Sequence, residues 1–416
     1  MHMTFFNKIR CTYCWQLLED RGFPILSLLI FFHLFVGCDS SAFLIFEVTG
    51  GEELRPLAIV TFDTKLPSGD YVAQDHTGKD APLQVDLDSR ATLVMERVLP
   101  NSVTIWKVND VASGKPRVTA DDFNNQILFS NSGRRIAAFH VSTSEMPRED
   151  IPDIYLRNGY LHPVWTPNGK IITDDYPLSH THHHGIWAAW TKTLFQGRNP
   201  DFWNMGSGTG RVELSHLNSV WSGSVYAGLR AHHQYIDMTQ EEVVGLNEVW
   251  MMNTYGNSPN QNIIDLELIQ SAATDSTLVL LQHRYGGIGF RGHHQWAGKN
   301  GAEFLTSEGN TRQNGHATRA RWVHIGGEVD GEVVGITILS HPSNHEAPQP
   351  VRIHPTDPFF NFAPSQAGSF EITSEQPITW KYRFVTYDGP HDPSLLEALW
   401  QDYAEPLTVQ KIRIYE

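Results

Sequence analysis

Apolar and polar residues alternate over short stretches along most of this chain, the two-residue period of a strand with one buried face. The first clear runs are 43–48, 57–62, 91–95 and 102–108, with Pro67-Ser68-Gly69-Asp70 as a turn between them. Residues 38–150 therefore read as an N-terminal β region, poor in histidine, that supports the rest of the chain. From Asp153 onward, short β-like runs (277–281, 319–325, 333–339) alternate with long polar and aromatic loops. The clearest strand is 378–387, whose apolar side chains take alternate positions, so one face packs and the other meets solvent. Pro377 precedes it and Asp388-Gly389-Pro390 ends it. Only 394–403 has helical spacing, with Leu395, Leu399 and Tyr403 on one side, Asp392 as cap and Pro393 in the first turn. The expected fold class is mainly β: a large antiparallel β-sandwich with few helices, its main domain spanning 151–416. Gly206-Ser207-Gly208-Thr209-Gly210 lacks the lysine and following helix of a phosphate loop and reads as a flexible loop.

Composition narrows the partners. The chain has 416 residues, 40% of them hydrophobic, enough for one large or two ordinary domains. Its formal charge of -15 argues against nucleic acid and against an anionic membrane surface. An acidic sugar stays open, because a local arginine pair can reverse the field in a pocket. The 12 Trp, 13 Tyr and 21 Phe are first of all core material, and secondarily flat faces for a sugar.

The first 37 residues read as a signal peptide. Residues 23–37 are almost all apolar, follow Lys8, Arg10 and Arg21, and are short for a membrane span. Phe35-Val36-Gly37-Cys38 is similar to a bacterial lipobox, with Phe35 where leucine is usual, so Cys38 is the expected lipidation site. The rival is a plain secretory signal. The expectation is an exported protein, periplasmic or an outer-membrane lipoprotein, held by a lipid anchor rather than a spanning helix. Cys11-x-x-Cys14 lies in the leader without a partner pair, and Cys38 is the third and last cysteine. Zinc-thiolate sites and thiolate catalysis are therefore set aside.

Candidate chemistry centres on His180-Thr181-His182-His183-His184-Gly185-Ile186-Trp187, preceded by Asp174-Asp175-Tyr176-Pro177. Buried neutral imidazoles need hydrogen-bond partners, so such a block suits a metal site or a polar pocket that handles protons. On a strand, His182 and His184, with His180 able to join them, would share a face as a metal half-site, which His341 or His345 would complete. Otherwise they bind substrate by hydrogen bonds. His162 before Pro163 enters the same pocket or has a purely structural role. Asp201, beside Phe202 and Trp203, either orients a histidine or caps a loop. Glu248 is a general base or metal ligand, or else a solvated strand position. Arg284 and Arg291, each near glycines, suit a carboxylate or sulfate, and Tyr285 can donate a proton or stack on a sugar. Asn344 and His341 stand where a strand ends and a loop begins.

These motifs together resemble one bacterial family, the domain of unknown function DUF6807, also labelled "methane oxygenase PmoA". The matching residues are Tyr176-Pro177, His182-His183-His184-Gly185-Ile186-Trp187, Asp201-Phe202-Trp203, Arg284-Tyr285-Gly286-Gly287, His341-Pro342-Ser343-Asn344, Tyr382-Arg383-Phe384 and Asp388-Gly389. The resemblance runs from about Asp153 to the C-terminus. The family pattern usually has His-His-Arg where this chain has His183-His184-Gly185, so an anion-binding arginine is missing or comes from elsewhere. The resemblance implies a galactose mutarotase-like β-sandwich of the carbohydrate-active kind. The reading is an exported enzyme acting on oligosaccharides or uronic acid-containing glycans. In an elimination, His184 or Tyr285 is the base and Arg284 the clamp; in a hydrolysis, Asp201 and Glu248 are the carboxylates. His162, Trp187, Trp203, Arg284, Arg291 and Asn344 would bind the sugar. No cofactor is required by this reading, and a divalent metal on His182, His184 and His341 is the candidate. The alternatives are a noncatalytic glycan-binding surface lipoprotein and a metal-dependent oxygenase with a two-histidine, one-carboxylate triad.

Overall fold

The computed structural model describes residues 44–414 apart from 113, 143–145, 257 and 259. Every paired strand in it is antiparallel. A seven-stranded sheet gathers the first six strands, from Leu44–Thr49 to Val103–Val111, and closes with the C-terminal strand Thr408–Ile414 against Leu44–Thr49. Alternation explains it: Leu44, Phe46 and Val48 are buried, and they pack with Val60, Leu83, Leu93 and Trp106.

Two eight-stranded sheets form a sandwich. One runs Val351–Ile353, Phe359–Phe362, Gly287–Arg291, Ile186–Ala189, Leu161–Val164, Arg134–His140, Gln126–Asn131 and Val118–Phe123. The other runs Gly210–Trp221, Tyr226–Asp237, Val243–Tyr255, Gln261–Ala272, Ile378–Asp388, Glu332–Ser340, Trp322–Val329 and Glu303–Thr306. Their inner faces share one core, in which Phe139, Leu161, Ile186 and Phe290 meet Leu229, Trp250, Leu268 and Phe384. Because Arg134–His140 pairs with Leu161–Val164, hydrogen bonding crosses residue 150, where the sequence pattern changes. The mainly β, antiparallel sandwich is the expected fold class.

Two elements differ from expectation. Strand Ile378–Asp388 does not show a solvated face: Arg383, Val385 and Tyr387 are buried as well as Tyr382 and Phe384. The second face is covered by helix Pro393–Ala404, whose Leu396 and Leu399 pack on Val385 and Tyr387. The helix itself is as read, with Asp392 accepting from the N–H groups of Ser394 and Leu395. Apart from the strand read around Glu248, the four longest strands, 210–272, were not picked out, because inward positions carry His233, Glu248, Thr254 and Gln270 among apolar residues.

The expectation of a membrane-associated lipoprotein, and with it the PmoA label, is corrected by this architecture. Among the described residues the chain is built of antiparallel sheets, and no helix is long and apolar enough to cross a membrane. Cys38 and the apolar run 23–37 lie outside the described residues.

Candidate functional site

The histidine block is a turn, which corrects the alternating-face expectation. The His180 N–H donates to the Pro177 carbonyl at 3.0 Å, that of His183 to the His180 carbonyl at 2.8 Å, and that of Tyr176 to the His183 carbonyl at 3.0 Å. This closure buries His183 and His184 together and leaves His180 and His182 half-buried. Strand Ile186–Ala189 begins just after it, in the middle of the first sandwich sheet. Gly185 is required at the junction, because a Cβ there would lie 2.3 Å from the Leu161 carbonyl oxygen. The arginine of the family pattern therefore has no room at 185. Arg291 takes its place on the neighbouring strand: its N–H donates to the Gly185 carbonyl at 2.8 Å, and its guanidinium reaches Ser179 at 3.2 Å and Asp357 at 3.5 Å.

Beneath the turn lies a buried layer. Asp175 accepts from His184 Nδ1 at 2.7 Å and from the Tyr160 hydroxyl at 2.9 Å. Tyr160 is stacked between His184 and His140, with centroids 4.3 Å away on either side. Burial pushes His184 and His183 well below the ordinary histidine range, so both are neutral. With Nδ1 bonded to a carboxylate, His184 carries its lone pair on Nε2, a buried nitrogen with no partner among the described residues. His183 Nδ1 and Trp187 Nε1 are in the same condition. Orphaned polar atoms gathered in one place point to a functional region rather than a settled core.

Above the turn lies a solvent-facing layer. His180 Nδ1 is 3.0 Å and His354 Nδ1 3.8 Å from Asp357 Oδ2. Ligand atoms of these three side chains all lie within 4.8 Å of one another, a two-histidine, one-carboxylate set that could hold a divalent metal. A second such set, Glu303, His324 and His391, stands elsewhere in the fold. Burial, with His180 and His184 adding repulsion, brings His182 down to about 4. Burial also lowers His354 to about 4, with Asp357 opposing it. Buried Trp203, its ring 6.2 Å from His183, underlies Tyr285 at 5.5 Å, and exposed Arg284 lies 5.7 Å over the Tyr285 ring. Arg352 joins it, lowered from the ordinary arginine value by burial and by the charge of Arg284.

Several expected residues have other work. Glu248 is neither a solvated position nor a free base: it lies inside the sandwich and accepts from Tyr235 at 3.1 Å, Trp250 at 2.6 Å and Gln270 at 2.5 Å. Asp201 caps its loop, accepting from the N–H groups of Trp203 and Asn204 and from the side chains of Thr191 and Asn204. Trp187 and Trp203 are buried, so neither offers a face to a sugar. Asn344 ties its loop to Lys381 through both the Lys381 N–H and carbonyl. His341 packs on Tyr403 and bonds Ser343, so it does not join His182 and His184, and this metal set does not form. His162 does reach the region, 2.9 Å from the Thr173 hydroxyl, with its carbonyl accepting from His140. Tyr285 donates to Asn204 at 3.2 Å and is half-buried; Arg284 is exposed. Sequence reasoning missed Tyr160, His354, Asp357 and Arg352. The His354–Asp357 spacing after a short strand was the available signal, and Asp175 stood directly before the block.

Two cavities, of about 290 Å³ beside Arg157 and Met205 and about 830 Å³ beside Leu305 and Glu397, are not lined by the histidine turn. The polar geometry, not the volume, locates the candidate site.

Fold and site define a β-sandwich protein with a solvent-facing cluster of histidine, arginine and aspartate over a buried Asp–His pair. Residues 126–401 match the model of the family of unknown function DUF6807, and the chain belongs to that family. No curated protein matches the chain. Among solved structures, a glycosyl hydrolase family 38 protein from Enterococcus faecalis is similar at 11% identity and a TM-score of 0.43, over 92% of this chain and 48% of that one. An alpha-mannosidase from Enterococcus faecalis V583 is similar at 10% identity and a TM-score of 0.42, over 94% of this chain and 49% of that one. The chain thus spans about half the length of either structure.

Proposed function

We propose that this protein is an exported carbohydrate-active enzyme that binds an acidic sugar at the solvent-facing layer and cleaves it by elimination. One observation carries the reading: exposed Arg284 and half-buried Arg352 feel each other's charge beside neutral His354, with buried Arg291 paired to Asp357 behind them, on a chain whose net charge is -15. A guanidinium cluster against the sign of the whole molecule suits a planar oxyanion. Export rests on the apolar run 23–37 behind basic residues.

Elimination fits the residues better than hydrolysis. Hydrolysis needs two available carboxyl groups flanking the bond. Glu248 and Asp201 are saturated with donors, and Asp357 is engaged by His180 and Arg291. In the elimination, the arginines hold the sugar carboxylate and so acidify the carbon beside it. Neutral His182 takes that proton. The released electron pair forms a carbon–carbon double bond, the neighbouring carbon–oxygen bond breaks, and the leaving oxygen takes a proton from Tyr285. A divalent ion on His180, His354 and Asp357 is the second reading of how the carboxylate is polarised, favoured by the convergence of those ligand atoms.

The test is incubation with uronic acid-containing polysaccharides, following ultraviolet absorbance of unsaturated product and reducing ends together. Both rising together supports elimination. Reducing ends without absorbance identify a hydrolase. Binding without either product identifies a glycan-binding protein.

A further inference from the structure

The second histidine cluster lies away from the chemistry proposed above. Glu303 sits on the edge strand Glu303–Thr306, directly across from Gly326 on the next strand. His324 is two residues before that glycine, on Trp322–Val329. His391 lies in the short loop between strand Ile378–Asp388 and helix Pro393–Ala404, directly before the helix cap Asp392. The imidazoles of His324 and His391 stack with centroids 4.2 Å apart and planes 27° apart. His391 Nδ1 is 3.8 Å from Glu303 Oε2. One ligand atom from each of the three residues lies within 4.8 Å of the others.

Two further observations show that the cluster is built rather than incidental. Gly326 and Gly335 face each other across adjacent strands. A Cβ on Gly326 would lie 2.6 Å from His324 Cε1 and 3.0 Å from its Nε2, and a Cβ on Gly335 would lie 2.8 Å from Cε1. The sheet surface is thus cleared by a glycine pair to seat one imidazole. The other ring nitrogen, Nδ1, is held 2.5 Å from the Tyr387 hydroxyl, which in turn is 3.1 Å from Thr337 Oγ1. When Tyr387 donates to Thr337, it accepts from His324 Nδ1–H. In that direction of bonding the lone pair stands on Nε2, the arrangement by which metal-binding histidines are oriented.

We propose that Glu303, His324 and His391 bind a divalent transition-metal ion of the zinc class, which staples the loop ahead of the C-terminal helix to the edge of the sheet. Two imidazoles and one carboxylate suit such an ion, whereas magnesium and calcium prefer all-oxygen sets. The exposed Glu303 leaves one side open to water. The ion ties together segments more than 60 residues apart in sequence, so its effect is on stability.

The experiment uses the full chain, stripped with a chelator and titrated with zinc chloride, reading affinity by calorimetry and the thermal unfolding midpoint. Wild type and Asp357→Asn, which removes the carboxylate shared by His180, His354 and Arg291 and leaves Glu303, His324 and His391 intact, are expected to bind zinc here and to rise in midpoint. Glu303→Gln and His391→Ala are expected to bind about tenfold or more weakly and to lose the rise. Glu303→Gln changes an exposed side chain, so it remains informative if His391→Ala folds poorly. The proposal is overturned if zinc raises the midpoint of Glu303→Gln as much as that of wild type, if the response disappears in Asp357→Asn instead, or if stripped wild type does not respond.

Discussion

Asp175 binds His184 Nδ1 at 2.7 Å through one carboxylate oxygen and the Tyr160 hydroxyl at 2.9 Å through the other. A single carboxylate therefore sets the tautomer of the most buried histidine in the block and the position of the ring stacked on it. Asp175→Ala leaves two buried donors without an acceptor, at a cost of about 2–4 kcal/mol. Urea unfolding is expected to show that loss as a lower midpoint with an unchanged slope. A midpoint equal to wild type would show that the pair does not hold the turn.

Stability is expected to fall on mild acidification. Burial lowers His162 and His182 to about 4, and His233 and His324 to about 3, from the ordinary 6.5. On unfolding each returns to about 6.5, so below that pH the unfolded chain binds more protons than the folded one. Their contribution is complete above about 6.5 and is lost as pH falls toward the folded values, by about 1.4 kcal/mol per pH unit for each group. Denaturation midpoints at about pH 7.5 and about pH 5.5 test this. An equal or higher midpoint at the lower pH contradicts it.

Glu248 is predicted to matter for folding rather than for chemistry. Glu248→Ala strands the donors of Tyr235, Trp250 and Gln270 inside the sandwich, an expected loss of about 3 kcal/mol or more. Whatever folded protein remains should bind an acidic sugar with wild-type affinity. A variant of normal stability with lost affinity would return Glu248 to the site.

Arg284 is exposed, so its removal isolates recognition from stability. Arg284→Ala is expected to weaken binding of a uronic-acid oligosaccharide about tenfold, roughly 1.4 kcal/mol, with an unchanged melting temperature. The remaining affinity should depend less on salt than that of wild type. Unchanged affinity would remove Arg284 from the proposed contacts.

How much of this was legible in the sequence follows from what each residue does. Strand Ile378–Asp388 was readable as a strand from its bounding Pro377 and Asp388-Gly389-Pro390, though not its second buried face, and helix Pro393–Ala404 from its Asp392-Pro393 start. The four long strands of residues 210–272 were not, because His233, Glu248 and Gln270 point inward, His233 to the Gly159 carbonyl and Gln270 to Glu248, which breaks the apolar period. The histidine block was visible as a cluster. Its geometry was not, since backbone closure from Pro177 to His183 decides which rings are buried. His354, Asp357 and Arg352 approach the block only through sheet pairing, Gly287–Arg291 with Phe359–Phe362 and that strand with Val351–Ile353, a long-range relationship no local pattern encodes.

The central claim is recognition of an acidic sugar by the arginine and histidine layer. Its most direct measurement is calorimetric titration of the protein with a uronic-acid oligosaccharide and with the same oligosaccharide after carboxyl reduction, using wild type and an Arg284→Ala, Arg352→Ala double variant. The account predicts binding of the acidic form by wild type and loss of affinity both on carboxyl reduction and in the variant. Equal binding of the acidic and reduced forms, or a variant that binds the acidic form like wild type, would contradict it.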